Sequence, residues 1–179
     1  LVAGALCSDA ARSKASGEEL GLATDRIYGD FREMAKAEAK RKDGIEAVSI
    51  VTPNHMHFPA AKAFIEAGIH VICDKPLSLN LREALALEKL LAKNPKVIFA
   101  LTHNYSGYPM IRQARAMVAA GELGDIRVVQ GEYPQDWLTT ALEKTGQKQA
   151  AWRTDPKRSG AGGCIGDIGT HTYQLMFEV

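Results

Sequence analysis

The sequence predicts an α/β protein: a doubly wound parallel sheet followed by the start of a second α/β domain. Three observations carry this. Short apolar runs alternate with helical patterns from Leu1 to Thr102, which implies parallel strands joined by right-handed crossovers. The tripeptide Asp74-Lys75-Pro76 ends one such run and sets a lysine at a strand's carboxyl end, where open α/β sheets bind ligands. After His103 the rhythm changes, so the domain boundary is read at 102/103: one domain over 1–102, and the start of a second over 103–179.

The elements follow in order. Leu1 to Cys7 reads as a strand. Ser8 or Asp9 caps the next helix, which ends near Gly21. Asp30 with Glu33 forms a capping-box-like start for a helix running to Lys42, before Gly44. Ile45 to Thr52 is a Val/Ile-rich strand, Phe58 to Ala67 a helix stopped by Gly68, and Ile69 to Cys73 the next strand. Asn80 and Glu83 open an apolar helix that stops at Asn94-Pro95, and Lys96 to Thr102 is a further strand. Pro109 to Ala120 reads as a helix, Ile126 to Tyr133 as a longer strand, and Pro134 to Gly163 as an irregular polar stretch.

Composition narrows the function classes. The 179 residues are 46% hydrophobic and 24% charged, ordinary values for a globular protein. A net charge of +1 gives no dedicated nucleic-acid surface. No apolar run approaches the roughly 18 residues that span a membrane. Cys7, Cys73 and Cys164 are widely spaced and odd in number, which points to a reducing cytoplasm rather than a disulfide framework. The expected partner is therefore a small molecule, not nucleic acid or membrane. A doubly wound fold opens with a strand, a Gly-rich turn and a helix, and no Gly-x-Gly-x-x-Gly follows a strand here. The expectation is that about 30 residues precede Leu1 and that this is an internal piece of a longer protein.

Two motifs carry chemistry. Lys75 offers an ammonium at a strand end. Gly166-Asp167-Ile168-Gly169-Thr170-His171 opens a helix and sets an acid and an imidazole four residues apart, so both project from one face. Read alone, Asp167 serves equally as a first-turn acid on the helix dipole, and His171 as a satisfied, partly buried histidine. Thr52-Pro53-Asn54 reads alone as turn chemistry.

Together these motifs resemble the Gfo/Idh/MocA family of NAD(P)-dependent sugar oxidoreductases. The matching residues are Ala67 to Val71 running into Asp74-Lys75-Pro76, and Gly160 to Gly163 running into Asp167 and His171. Thr52-Pro53-Asn54 with His57, Gly121-Glu122-Leu123-Gly124 and Trp152-Arg153 also match, and the likeness covers nearly the whole chain. The resemblance implies a Rossmann-like first domain and a second domain whose open sheet makes oligomer contacts. It implies hydride transfer between NAD or NADP and a sugar, sugar derivative or inositol. His171 would be the general base, Lys75 would stabilise the reacting oxygen, and Asp167 would bind a sugar hydroxyl or orient the reactive group. Ser8, Thr52, Pro53, Asn54, His57, Asp74, Lys75, Pro76 and Asn104 would lie against the cofactor, with the Lys75–Pro76 peptide bond cis. No metal site is implied.

Three departures from the family pattern matter. Asp74 replaces a glutamate and shortens its reach. Gln174 replaces a further acid. At the end of the first strand Cys7 and Ser8 stand where a carboxylate usually binds the NAD ribose, which leaves NAD and NADP both open, with Arg12 able to face a 2′-phosphate. Two other readings stand beside this one. His55-Met56-His57, with His103 at another strand end, suits a metal-dependent hydrolase. A non-catalytic sugar-sensing protein would use the same fold.

Overall fold

The computed structural model describes residues 1–179. The fold is α/β, with α1 (Ala10–Glu19), α2 (Phe31–Glu38), β1 (Ala47–Ile50), α3 (His57–Glu66), β2 (His70–Asp74), α4 (Leu81–Lys93), β3 (Phe99–Thr102) and α5 (Pro109–Ala119) in chain order. Then come α6 (Lys148–Arg153), α7 (Pro156–Ser159) and α8 (Thr170–Glu178). The sheet order is β1-β2-β3, and β1 pairs parallel to β2 in the register Ala47 to His70 through Ile50 to Cys73. No helix is long and apolar enough to cross a membrane. The chain forms two compact units. The first is Leu1–Thr52, Met56–Cys73 and Leu81–Ala100, and the second is Pro53–His55, Asp74–Asn80 and Leu101–Val179.

In the first unit the sequence dictates the helix ends. Asp9 accepts the Arg12 amide at 2.8 Å and Asp30 accepts the Arg32 amide at 2.7 Å, satisfying amides that a helix start otherwise leaves bare. Gly68 takes φ +78°, a left-handed value, and closes α3 through Gly68 N–H to Ile65 O and Ile69 N–H to Phe64 O, both 3.0 Å. Those are the two bonds of a Schellman stop, and they turn the chain directly into β2. Phe64 and Ile65 of α3, Val71 and Cys73 of β2 and Leu87 of α4 are fully buried, and α3 packs on both β1 and α4. Each large apolar side chain among them contributes about 2 kcal/mol by leaving water. The β2 strand alternates: Val71 and Cys73 face inward while Ile72 is 44% exposed.

Four expectations are corrected. Leu1 to Cys7 is not a strand, because only Gly4 finds a partner, in an isolated parallel bridge to Ile27. The second helix stops at Glu38 rather than Lys42, since the Glu38 main-chain oxygen accepts from Arg41 in a turn. Ile126 to Tyr133 has strand-like alternation but no strand beside it, so no ladder forms. The stretch 134–163 is not irregular throughout: it holds a 3₁₀ turn (Leu142–Thr145), α6 and α7.

One buried ion network pins α2. Arg26 donates to Glu38 through Nε at 3.2 Å and Nη2 at 2.5 Å, while the Tyr28 hydroxyl and the Ile45 amide donate at 2.7 and 3.1 Å. Burial would raise the Glu38 carboxyl, but the Arg26, Tyr28 and Ile45 bonds outweigh it and hold the pKa below 4.5. Glu38→Ala should lower unfolding free energy by about 3 kcal/mol in urea melts, because it strands Arg26 in the interior. The folded pKa is depressed, so the stabilisation is complete above pH 4.5 and is lost as pH falls below it. Unchanged urea and acid midpoints in the variant would refute this role.

Candidate active site

The second unit gathers the chemistry. The carboxyl end of β2 delivers Asp74 and then Lys75, whose peptide bond to Pro76 is cis. Ninety-two residues later, Asp167 lies in a single π-helical turn, Ile165–Gly169, that leads into α8. Such turns occur often at functional sites. The motif was expected to open an ordinary helix; instead Asp167 stands in this wider turn and His171 in the first turn of α8.

Lys75 and Asp167 meet directly. Lys75 Nζ donates to Asp167 Oδ1 at 2.6 Å and to the Asp167 main-chain oxygen at 2.5 Å. The other carboxylate oxygen, Oδ2, accepts from Arg153 Nε at 3.1 Å. Burial alone would raise the Asp167 carboxyl, but the hydrogen bond and charge of Lys75, then Arg153, outweigh it and hold the pKa below 3.8. Asp167 is therefore an anion at neutral pH, with both oxygens engaged by cations.

His171 is 4% exposed and lies in an aromatic nest. The Tyr105 ring lies 4.3 Å from it at a 32° tilt, and His103 meets it edge-on at 5.7 Å. Tyr105 is held in turn by a 2.8 Å hydroxyl contact with Tyr133. That contact, then burial, pushes the Tyr105 phenol up to about 12. Burial, then the Lys75 charge and His103, lower the His171 pKa below 6.5, with Asp167 opposing weakly. His171 is thus a neutral imidazole at pH 7, and its buried Nδ1 has no hydrogen-bond partner. His103 is shifted the same way, by burial and then Lys75.

The remaining sequence candidates divide. Asp74 accepts the Thr102 hydroxyl at 2.8 Å. Asn54 is buried and donates through Nδ2 to Ser159 O at 2.9 Å, which ties the turn after β1 to the Gly-rich approach. Gly160 in that approach has φ +94°, and a Cβ there would stand 3.3 Å from Leu79 O, so the close approach requires glycine. Asn104 is exposed in a 3₁₀ turn. Gln174 Oε1 and His55 Nδ1 are buried without a partner. In the first unit, Ser8 and Thr52 are exposed, and His57 is buried with Nε2 donating to Thr52 O at 2.9 Å. No group of three or more His, Cys, Asp or Glu side chains is placed to hold a metal ion.

Sequence reasoning missed the nest and the second cation. Trp152-Arg153 was legible as a motif without a role, whereas Tyr105 and Tyr133 carry no periodic or spacing signal that links them to His171. An open cavity of about 660 Å³ adjoins Asp167, with Tyr133, Trp137, Trp152, Arg153 and Thr172 in its wall.

Comparison with known proteins fixes the family. Residues 1–103 match the oxidoreductase family with an NAD-binding Rossmann fold, and residues 111–178 match the GFO/IDH/MocA C-terminal domain. The chain belongs to the GFO/IDH/MocA oxidoreductase family. It is 43% identical to the uncharacterized oxidoreductase YfiI of Bacillus subtilis over 98% of this chain and 44% of that protein. It superimposes on an inositol dehydrogenase homolog of Azotobacter vinelandii complexed with NAD+ with TM-score 0.93 and 42% identity, over 99% of this chain and 45% of that one. It also superimposes on levoglucosan dehydrogenase in complex with NADH and levoglucosan, with TM-score 0.79 and 26% identity, over 96% and 42%. The chain therefore spans less than half the length of these relatives.

The electrostatics give a direct test. In an NMR titration His171 should titrate below 6.5, and Lys75→Met should move its midpoint upward, because a neighbouring positive charge is removed. A midpoint that does not move would mean that Lys75 does not act on the imidazole.

Proposed function

We propose that the protein to which this chain belongs oxidises or reduces a polyhydroxy substrate with NAD or NADP. The observation that carries this is the Lys75–Asp167 pair next to a neutral, buried His171. A buried imidazole held neutral at pH 7 can accept the proton of a substrate hydroxyl. An ammonium fixed by a carboxylate can stabilise the negative charge that grows on the same oxygen. Asp167, with both oxygens engaged, orients Lys75. In the reverse direction His171 returns the proton to a carbonyl oxygen, with Lys75 polarising it.

NAD(P) supplies a hydride acceptor or donor at the nicotinamide C4. The groups present suit a dinucleotide. In the first unit, Val51 is 71% exposed at the carboxyl end of β1, beside exposed Thr52, and Ser8 is exposed after the first segment. In the second unit the candidates are Pro53, the Asp74-Lys75-Pro76 turn and Asn104. Asn54 and His57, buried and bonded to backbone oxygens, serve by fixing the turn after β1. Cys7 and Ser8 stand where the family's carboxylate usually meets the NAD ribose, so both NAD and NADP are candidates.

A sugar, sugar derivative or inositol fits the site. The cavity beside Asp167 combines tryptophan rings with charged groups, a mixture that suits molecules with apolar ring faces and hydroxyl edges. Two of the similar proteins are an inositol dehydrogenase homolog and levoglucosan dehydrogenase, both named for ring polyols. We assign residues 1–102 to cofactor binding and 103–179 to substrate binding and oligomer contact.

The test is a screen of the full-length protein for polyol-dependent reduction of NAD and NADP. Lys75→Met and His171→Asn should each lower kcat by roughly 100-fold or more. A Lys75→Met protein with full turnover would exclude this assignment. Sugar binding without any reduction would favour the sensor.

A further inference from the structure

Arg153 answers a question that the Lys75–Asp167 pair raises. A carboxylate can swing about its Cα–Cβ and Cβ–Cγ bonds, and a lysine follows it on four flexible carbons. Holding Lys75 at one point needs a second restraint on Asp167. Arg153 sits at the end of α6 and donates Nε–H to Asp167 Oδ2 at 3.1 Å. Its guanidinium lies over Trp152 at 4.3 Å and Trp137 at 5.6 Å. Its far end donates to Gln149 Oε1, which also accepts Trp152 Nε1 at 3.1 Å. The guanidinium is thus fixed by two rings, an amide and a carboxylate.

We infer that Arg153 is a positioning residue of this site: braced by Trp152, Trp137 and Gln149, it locks Asp167 so that Oδ1 and the main-chain oxygen hold Lys75 Nζ in place. This rests on the oxidoreductase reading above. Arg153 has no contact with Lys75 Nζ or the His171 ring among the bonds and ring contacts of the site, so it works through Asp167. The Nε–H points along one direction, which an ammonium cannot reproduce. The charged and titratable groups around Asp167 are Lys75 from the turn after β2, Arg153 from α6, His171 from α8 and Tyr105 from the 3₁₀ turn after β3, with His103 beyond His171. Of these, Lys75 and Arg153 are the cations that hold the carboxyl down.

The test uses full-length protein with Arg153→Met and Arg153→Lys. Arg153→Met should lower kcat by about 10- to 100-fold with little change in KM, because the reacting groups remain but are misplaced. The acid limb of the kcat/KM profile, set by His171, should stay in place, since Arg153 acts on Asp167 and not on the imidazole. Arg153→Lys keeps the charge and should keep the Asp167 midpoint low, while recovering only part of kcat. Guanidinium at millimolar concentration should partly restore an Arg153→Ala protein. A carbon-13 titration of the Asp167 carboxyl needs no turnover and should show a raised midpoint in Arg153→Met. An unmoved Asp167 midpoint in Arg153→Met would overturn the inference. If the wild-type protein reduces neither NAD nor NADP with any polyol, the oxidoreductase reading fails, and the carboxyl titration still decides the role of Arg153.

Discussion

The second unit depends on one constraint: the Asp167 carboxylate is shared between two cations that come from distant parts of the chain. Lys75 arrives from a strand end and Arg153 from a short helix, and they take separate oxygens. A half-buried carboxylate with a single partner would face a desolvation cost that one ion pair in this setting barely offsets. The hydrogen bond and charge of Lys75, then those of Arg153, outweigh burial, which is why Asp167 stays ionised although it is partly buried. With the carboxylate fixed, the ammonium is fixed, and its charge adds to burial in lowering the pKa of His171.

The surrounding structure serves this constraint at several points. The Gly-rich approach to Asp167 lies against the segment that carries Lys75, because Gly160 leaves room for the Leu79 main-chain oxygen. Asn54 holds the same approach through Ser159. Tyr105, tethered to Tyr133, presses its ring on His171 and limits how the imidazole turns. These neighbours are neutral, so they restrict geometry without adding charge, and the charge balance stays with Lys75, Arg153 and Asp167.

The features legible in the sequence were those that local chemistry determines. Asp9, Asp30 and Gly68 announce helix ends because caps and left-handed stops need those residue types. Lys75 at the end of β2 was legible because an apolar run has to end somewhere, and an abrupt charged turn marks the place. Features that depend on partners far along the chain were not legible. Leu1 to Cys7 and Ile126 to Tyr133 have strand-like sequences, but a strand exists only where a ladder forms, and neither run carries that information. The roles of Arg153 and of the Tyr105–Tyr133 pair are set by side-chain contacts across 14 and 28 residues, which no spacing rule encodes. For Asn54 the residue type allowed either cofactor contact or turn chemistry, and its bond to Ser159 O depends on a partner 105 residues away that no local pattern encodes.

The central claim is that Lys75 and Asp167 act as one unit, and a double-mutant cycle in the full-length protein tests it most directly. Turnover would be measured for Lys75→Met, Asp167→Asn and the double variant. If each residue works only through the other, the double variant loses no more than the worse single variant, so the losses overlap strongly. Losses that multiply, each residue contributing independently, would contradict the account and would mean that the two side chains serve separate steps.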